Sequence, residues 1–355
     1  MKEKKYVVLY HSLKEKILSG NYGKEEKLPS KRMLADRTGY SVITVEKAYN
    51  MLVDEGYIEA RERSGYFVCP LELMPSASKE STLHYLPEEA TDRMPSSDLK
   101  QNLWFRTVRK VLAEKGNSLF IKSPSEGCNI LRNAISRYLL RYRGMAADPR
   151  RIIIGSGSEQ LYETAVKILG RDKIYGIETP SYPRIEAVYR AEGVSVRKLT
   201  LGRDGIPSQV LHLGGFQVLH VTPFRSYPTD ITTSAAKRYQ YIKWAEEGHY
   251  IVEDDFNSEF FIPGQPVESL YSMDRNQRVI YINTFSKSLS PSMRMGYMIL
   301  PEALLPRYQE VLGNFSCTVP VLDQYILAEF INSGNFERHL NRMRKKMKKK
   351  LLPDK

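Results

Sequence analysis

Lys287 follows Thr284-Phe285-Ser286 at the end of the apolar run Val279–Asn283, and Arg294 stands seven residues further on. Alone, a lysine in that place is an ordinary solvated charge. A second apolar run, Tyr250–Asp254, leads into Glu253-Asp254-Asp255-Phe256-Asn257-Ser258-Glu259. Carboxylates at the carboxyl end of a parallel strand sit where α/β sheets bind ligands. A third piece, Gly155-Ser156-Gly157-Ser158-Glu159, is a small-residue turn between a strand and a helix, whose N–H groups offer a place for an anion. An amine that can form an imine, a carboxylate that can hold a pyridinium proton and a cradle for phosphate are the three parts a pyridoxal phosphate site needs.

These pieces must be held by a strand–helix alternation. Short apolar runs at Ile152–Ile154, Ile174–Glu178, Val194–Leu199, Val218–Thr222, Tyr250–Asp254, Val279–Asn283 and Gly296–Leu300 predict strands. Helical patterns fall between several of them, at 158–169, 181–192 and 234–247. Such alternation predicts an α/β domain with a largely parallel sheet, over residues 98–355. Residues 70–97, rich in Pro, Ser and Glu without apolar periodicity, read as a linker.

The first 69 residues read differently. Ser30 can cap a short helix that Gly39 ends, and Ser41 caps a second helix whose buried face is Val45, Ala48, Tyr49 and Leu52. Tyr57-Ile58, a turn at Arg63-Ser64-Gly65, and Phe67-Val68 then form a hairpin. Two helices joined by a tight turn and followed by a hairpin make a winged helix-turn-helix, an α+β module whose second helix enters the major groove.

Composition narrows the alternatives. The 355 residues are 42% hydrophobic and 26% charged, which excludes a disordered or fibrous chain. No apolar run reaches the length of a membrane span, and the N-terminus lacks a secretory signal, so no membrane partner is expected. Cys69, Cys128 and Cys317 fit neither a disulfide framework nor a metal site, which points to the cytoplasm and to no bound metal. The net charge of +12 is concentrated at the end of the chain, where residues 338–355 carry nine Lys or Arg against one Asp. Residues 1–70 carry thirteen against ten acids, so charge alone is a poor argument for nucleic acid binding.

The landmarks Leu28-Pro29-Ser30, Arg32, Leu34-Ala35, Gly39, Thr44-Val45, Ala48-Tyr49, Leu52, Glu55-Gly56-Tyr57 and Ser64-Gly65 resemble the DNA-binding domain of the GntR family. The strings Glu178-Thr179-Pro180-Ser181-Tyr182-Pro183-Arg184 and Val221-Thr222-Pro223, with the lysine and carboxylate motifs, resemble the class I aminotransferase fold, fold type I. Their succession in one chain resembles the MocR/GabR regulators. The resemblance implies a homodimeric transcriptional regulator of double-stranded operator DNA. Its aminotransferase-like domain would bind pyridoxal 5'-phosphate and sense an amino-acid effector. It implies DNA contacts from Arg32, Ser41, Thr44, Lys47, Arg61, Arg63, Ser64 and Gly65. It implies Lys287 as the Schiff-base lysine, Asp254 as partner of the pyridine nitrogen and Tyr182 stacked on the ring. Gly157, Ser158, Thr284, Ser286 and Arg294 would surround the phosphate, and Arg184 would meet an effector carboxylate. Two other readings stand beside it: an aminotransferase with an accessory DNA module, and a regulator that folds without cofactor.

The sequence departs from the family pattern in four places. Val42 stands where the family has Arg, and Phe256 where it has Tyr. Phe224-Arg225-Ser226-Tyr227-Pro228-Thr229-Asp230 replaces Ser-His-Gln-Phe-Pro-Thr-Gly, with Asp230 at a turn glycine. Family members also continue past the point matching Lys355 into a small domain that closes the site, so that domain is expected to be largely absent and no sustained transamination is expected.

Overall fold

The computed structural model describes residues 4–62, 64–70, 99–260 and 268–351, with side chains of the last helix described through 347. The expected linker lies outside the described residues from 71 onward, as does Arg63. The chain divides into two compact units, Met1–Asp92 and Arg93–Lys355.

The N-terminal unit contains α1 (Lys5–Leu18), α2 (Lys31–Thr38), α3 (Val42–Asp54) and a hairpin of β1 (Ile58–Arg61) and β2 (Gly65–Val68). Each short helix starts where a side chain can replace the missing backbone acceptor. Ser30 Oγ accepts from Met33 N at 3.2 Å, and Ser41 Oγ from Thr44 N at 3.2 Å. Loss of either cap would cost about 1 kcal/mol. Gly39 ends α2 at φ +70°, a conformation that carries no penalty without a Cβ. Val45, Ala48, Tyr49 and Leu52 are fully buried against Leu9, Tyr10, Leu13 and Ile17 of α1. The Tyr49 hydroxyl reaches Pro29 O at 2.7 Å, tying α3 to the start of α2.

The C-terminal unit is built on seven strands: β3 (Ile152–Gly155), β4 (Ile174–Thr179), β5 (Ser195–Thr200), β6 (Val218–Val221), β7 (Tyr250–Asp254), β8 (Val279–Thr284) and β9 (Gly296–Ile299). Their order is β3-β9-β8-β7-β6-β4-β5, and only β9 runs antiparallel to its neighbours. Nearly every expected strand and helix is present, with ends shifted by a residue or two.

Alternation along the strands separates two apolar clusters. Ile152, Ile154, Tyr281, Tyr297 and Ile299 join one, and Ile153, Ile280, Ile282 and Met298 join the other. With period two, these are opposite faces of the sheet. The first face is covered by α5 (Asn129–Arg143) and by α12 (Val321–Asn332), which packs on both α5 and α4 (Gln101–Lys115). On the second lie α6 (Ser158–Leu169) and α7 (Pro183–Ala191). The remaining helices are α8 (Ser208–His212), α9 (Ala235–Glu246), α10 (Leu270–Met273), α11 (Leu305–Leu312) and α13 (Asn335–Leu351).

Candidate functional site

A cavity of about 370 Å³ opens at the carboxyl ends of the parallel strands. That size lies within the range of small-ligand sites. Ser158, Tyr182, Arg184, Asp254, Thr284, Ser286, Lys287 and Arg294 all line it. Gly157 lies immediately behind: at φ +103°, a Cβ there would meet the Arg294 guanidinium at 3.1 Å. This turn therefore needs glycine for its backbone and for the approach of Arg294.

The three consecutive acids at the end of β7 go separate ways. Glu253 accepts from Leu270 N and Tyr271 N, both at 2.9 Å, and so holds the start of α10. Asp255 pairs with Arg143 at 3.0 Å and accepts from the Tyr281 hydroxyl at 2.8 Å. Only Asp254 lines the cavity. It is 4% exposed; its Oδ2 accepts from the Tyr162 hydroxyl, and its Oδ1 is buried with no partner. Burial pushes the Asp254 carboxyl up to about 7; the Tyr162 hydrogen bond opposes this and the Asp255 charge adds to it. An orphaned, desolvated acceptor on a cavity wall suits a cationic ring N–H, which would satisfy the oxygen and restore its charge.

Lys287 is accessible from the cavity, and its ammonium lies 5.1 Å from the Phe256 ring centroid and 5.6 Å from that of Phe260. Its Nζ donates to Asn257 Oδ1, whose amide nitrogen donates to Arg225 O at 2.8 Å. Desolvation lowers the lysine pKa first, the Arg225 charge lowers it further, and Asp230 opposes them. A lysine more readily deprotonated than usual is a better nucleophile toward a carbonyl. The Tyr182 ring meets Tyr227 edge-on at 6.1 Å and carries the Arg184 guanidinium at 5.8 Å. Asp230, at the place of the family's turn glycine, keeps that turn by adopting φ +56°. Aspartate tolerates this left-handed conformation better than most residues.

Several residues of the site were not singled out from the sequence. Tyr162 stands one helical turn after Ser158, a spacing that places both on one face of α6. His220, in the apolar string Val218-Leu219-His220-Val221, is buried with Nδ1 2.6 Å from the Tyr189 hydroxyl and Nε2 4.0 Å from Asp254 Oδ2. Burial pulls its pKa down to about 3, so it is a neutral neighbour of Asp254. The only signal for it is a polar residue inside a strand otherwise suited to full burial. Glu178 accepts from Thr222 N at 3.0 Å and Ser226 Oγ at 3.1 Å, and burial raises it to about 7. Glu159 binds both cavity arginines, Arg184 through Oε1 and Arg294 through Oε2 at 3.3 Å.

In the N-terminal unit, Arg32, Ser41 and Lys47 are exposed and Thr44 is half-buried. The Lys47 ammonium lies 5.7 Å from the Tyr6 ring centroid. Glu46, whose charge would oppose a phosphate, is paired with Lys31 at 2.5 Å. At the wing, Arg61 pairs with Glu59 at 2.5 Å and lies over the Phe67 ring at 4.5 Å. Ser64 N donates to Arg61 O at 3.0 Å, and Gly65 takes φ +114°. Among the described residues, no three His, Cys, Asp or Glu side chains are placed to hold a metal ion, and no helix is long and apolar enough to cross a membrane.

Residues 5–68 match the family described as bacterial regulatory proteins, gntR family. The chain is 34% identical to YdeL, an uncharacterized HTH-type transcriptional regulator of Bacillus subtilis, over 97% of its own length and 77% of YdeL. It is 29% identical to the probable rhizopine catabolism regulatory protein MocR of Rhizobium meliloti, over 95% of its length and 73% of MocR. Among solved structures it is similar to LysN, an α-aminoadipate aminotransferase of Thermus thermophilus solved with N-(5'-phosphopyridoxyl)-L-leucine. The TM-score is 0.62 and the identity 26%, over 70% of this chain and 64% of LysN. The chain thus spans slightly less than two thirds of that enzyme. It belongs to the GntR family of HTH-type transcriptional regulators, in the MocR-type group that joins a winged helix-turn-helix to an aminotransferase-like domain.

Proposed function

We propose that this regulator binds operator DNA as a homodimer in the cytoplasm and carries pyridoxal 5'-phosphate in the cavity of its aminotransferase-like unit. On this reading residues 1–69 are the DNA-binding domain, 70–97 a linker and 98–355 the cofactor domain. The observation that carries the proposal is the convergence of Lys287, the unpartnered Asp254 Oδ1 and the Gly157–Ser158 turn on one cavity. The cofactor, when bound, supplies an electron-withdrawing ring and an aldehyde that an amine can condense with. Lys287 Nζ is the amine of the chain placed for that condensation, and Asn257 and the two phenylalanine rings orient it. Asp254 Oδ1 would accept a hydrogen bond from the protonated ring nitrogen, while the Tyr162 hydroxyl holds the other carboxylate oxygen. Ser158, Thr284, Ser286 and Arg294 would hold the phosphate with the amide groups of the turn, and Tyr182 would cover the ring.

Arg184, on the rim and paired with Glu159, is the cation that would exchange this partner for an effector carboxylate, and an amino acid is the effector class that suits it. Such a ligand changes DNA affinity only to the extent that it binds two states of the regulator unequally. Titration of the purified chain with pyridoxal 5'-phosphate should produce a saturable visible absorbance band absent with pyridoxine 5'-phosphate, which has no aldehyde. Failure to saturate, or identical spectra with the two compounds, would contradict the proposal.

A further inference from the structure

The outward face of α3 has a centre that folding does not explain. Val45, Ala48, Tyr49 and Leu52 form the buried side. At 100° per residue, the opposite direction is taken by Ile43, Lys47 and Asn50, all exposed. Ile43 is 66% exposed, Val42 beside it 42%, and neither belongs to the apolar cluster of this unit. A β-branched residue on an exposed helical turn gives up helix propensity, and Ile43 here buries only a third of its surface in return. Around the first turn of α3, the uncharged and acidic side chains are already engaged. The Ser41 and Thr44 hydroxyls lie 2.8 Å apart, and Glu46 is held by Lys31. Lys47, one turn along the same face, is exposed, as is Arg32 of the preceding helix. An apolar ridge with a cation beside it is complementary to a groove whose walls are phosphates and whose floor carries an apolar group.

In the major groove, thymine is the base that presents such a group, its C5 methyl. We propose that Ile43, with Val42 at its side, reads thymine methyls, so that the preferred half-site carries T·A pairs at one or two positions under the first turn of α3. The inference rests on the reading that α3 is the helix laid in the major groove. It also accounts for the neutral residue where the family has Arg: Val42 exchanges a cationic contact for an apolar one.

The test begins with half-sites selected by the full chain from a randomised duplex pool. Each thymine is then replaced singly by deoxyuridine, which removes only the methyl, at fixed salt. At one or two positions the wild-type chain should bind about fourfold more weakly, as for one lost buried methyl. Ile43→Ala should bind the thymine duplex more weakly and lose the difference between thymine and uracil at those positions. Equal affinity for thymine and uracil everywhere in the wild-type chain would overturn the inference while leaving DNA binding intact, as a protein-docking role for the ridge requires. An unchanged uracil penalty in Ile43→Ala would also overturn it. Selection of no duplex above competitor DNA would instead overturn the reading of α3 itself, and the inference with it.

Discussion

Among the described residues of the N-terminal unit, every buried side chain belongs to a hydrophobic residue. The C-terminal unit buries Glu178, His220, Glu253, Asp254, Asp255 and Glu259 along with its apolar clusters. A winged helix works from its outer surface, so its core is free to be purely structural. A cofactor fold works from a hole in its own interior, so desolvated ionisable groups must be built into it at a cost in stability. Chemistry and core are therefore separable by substitution in one unit and entangled in the other.

The largest expected difference comes from Lys287→Ala. It should abolish covalent retention of pyridoxal 5'-phosphate, seen as loss of the visible band after gel filtration, with DNA affinity in the absence of effector unchanged. A band of wild-type intensity in this variant would break the division of labour.

The second difference is in pH dependence. Burial raises Asp254 and Glu178 to about 7 and Glu253 to about 8, against ordinary carboxyl values near 4 in an unfolded chain. The folded unit holds protons that the unfolded chain has released. This contribution to stability is full below about pH 4 and is lost as pH rises through about 7 to 8. In the N-terminal unit, Glu55 is shifted the other way, lowered by hydrogen bonds from Lys14 and Tyr10. Calorimetry of the chain without cofactor should thus show the C-terminal transition several degrees lower at pH 8.5 than at pH 5.5, while the N-terminal transition stays nearly fixed. Parallel shifts of both transitions would remove the contrast.

A third, smaller effect sharpens the surface side. Arg32→Ala should weaken binding severalfold to every duplex alike and reduce the salt slope by about 0.9, the signature of one lost phosphate contact. A slope identical to the parent's would take Arg32 off the contact surface. The smallest effect is a gain. Phe256→Tyr places a hydroxyl beside Lys287, and should slow cofactor loss on dilution by a few-fold without altering DNA binding. A faster loss would show that the Phe256 ring is needed as it stands.

Legibility from sequence followed the same division. The caps at Ser30 and Ser41, the left-handed Gly39 and the buried stripe of α3 are local patterns, and all are present. The strands of the C-terminal unit were equally readable, because fully buried parallel strands are continuous apolar runs. The components of its cavity were readable only where they sit beside a strand end or a turn. Residue types alone do not say which of Glu253, Asp254 and Asp255 lines the cavity, and only the family resemblance singled out Asp254, since the choice depends on the pleat of β7 and on Arg143, more than a hundred positions earlier. Tyr162, His220 and Asn257 stayed hidden because their partners, Asp254, Tyr189 and Lys287, come from other elements. Likewise, nothing local to Glu46 announces Lys31, fifteen residues away on the preceding helix.

The claim on which the account rests is that the cavity of the C-terminal unit holds pyridoxal 5'-phosphate on Lys287. Saturation of the chain with the cofactor, reduction with borohydride and peptide mapping by mass spectrometry address it directly. The account predicts a phosphopyridoxyl mass on the peptide containing Lys287, near one equivalent per chain, and lost when Asp254→Asn weakens the site at limiting cofactor. An unmodified Lys287 at saturation, or label scattered over surface lysines with none preferred, would contradict it.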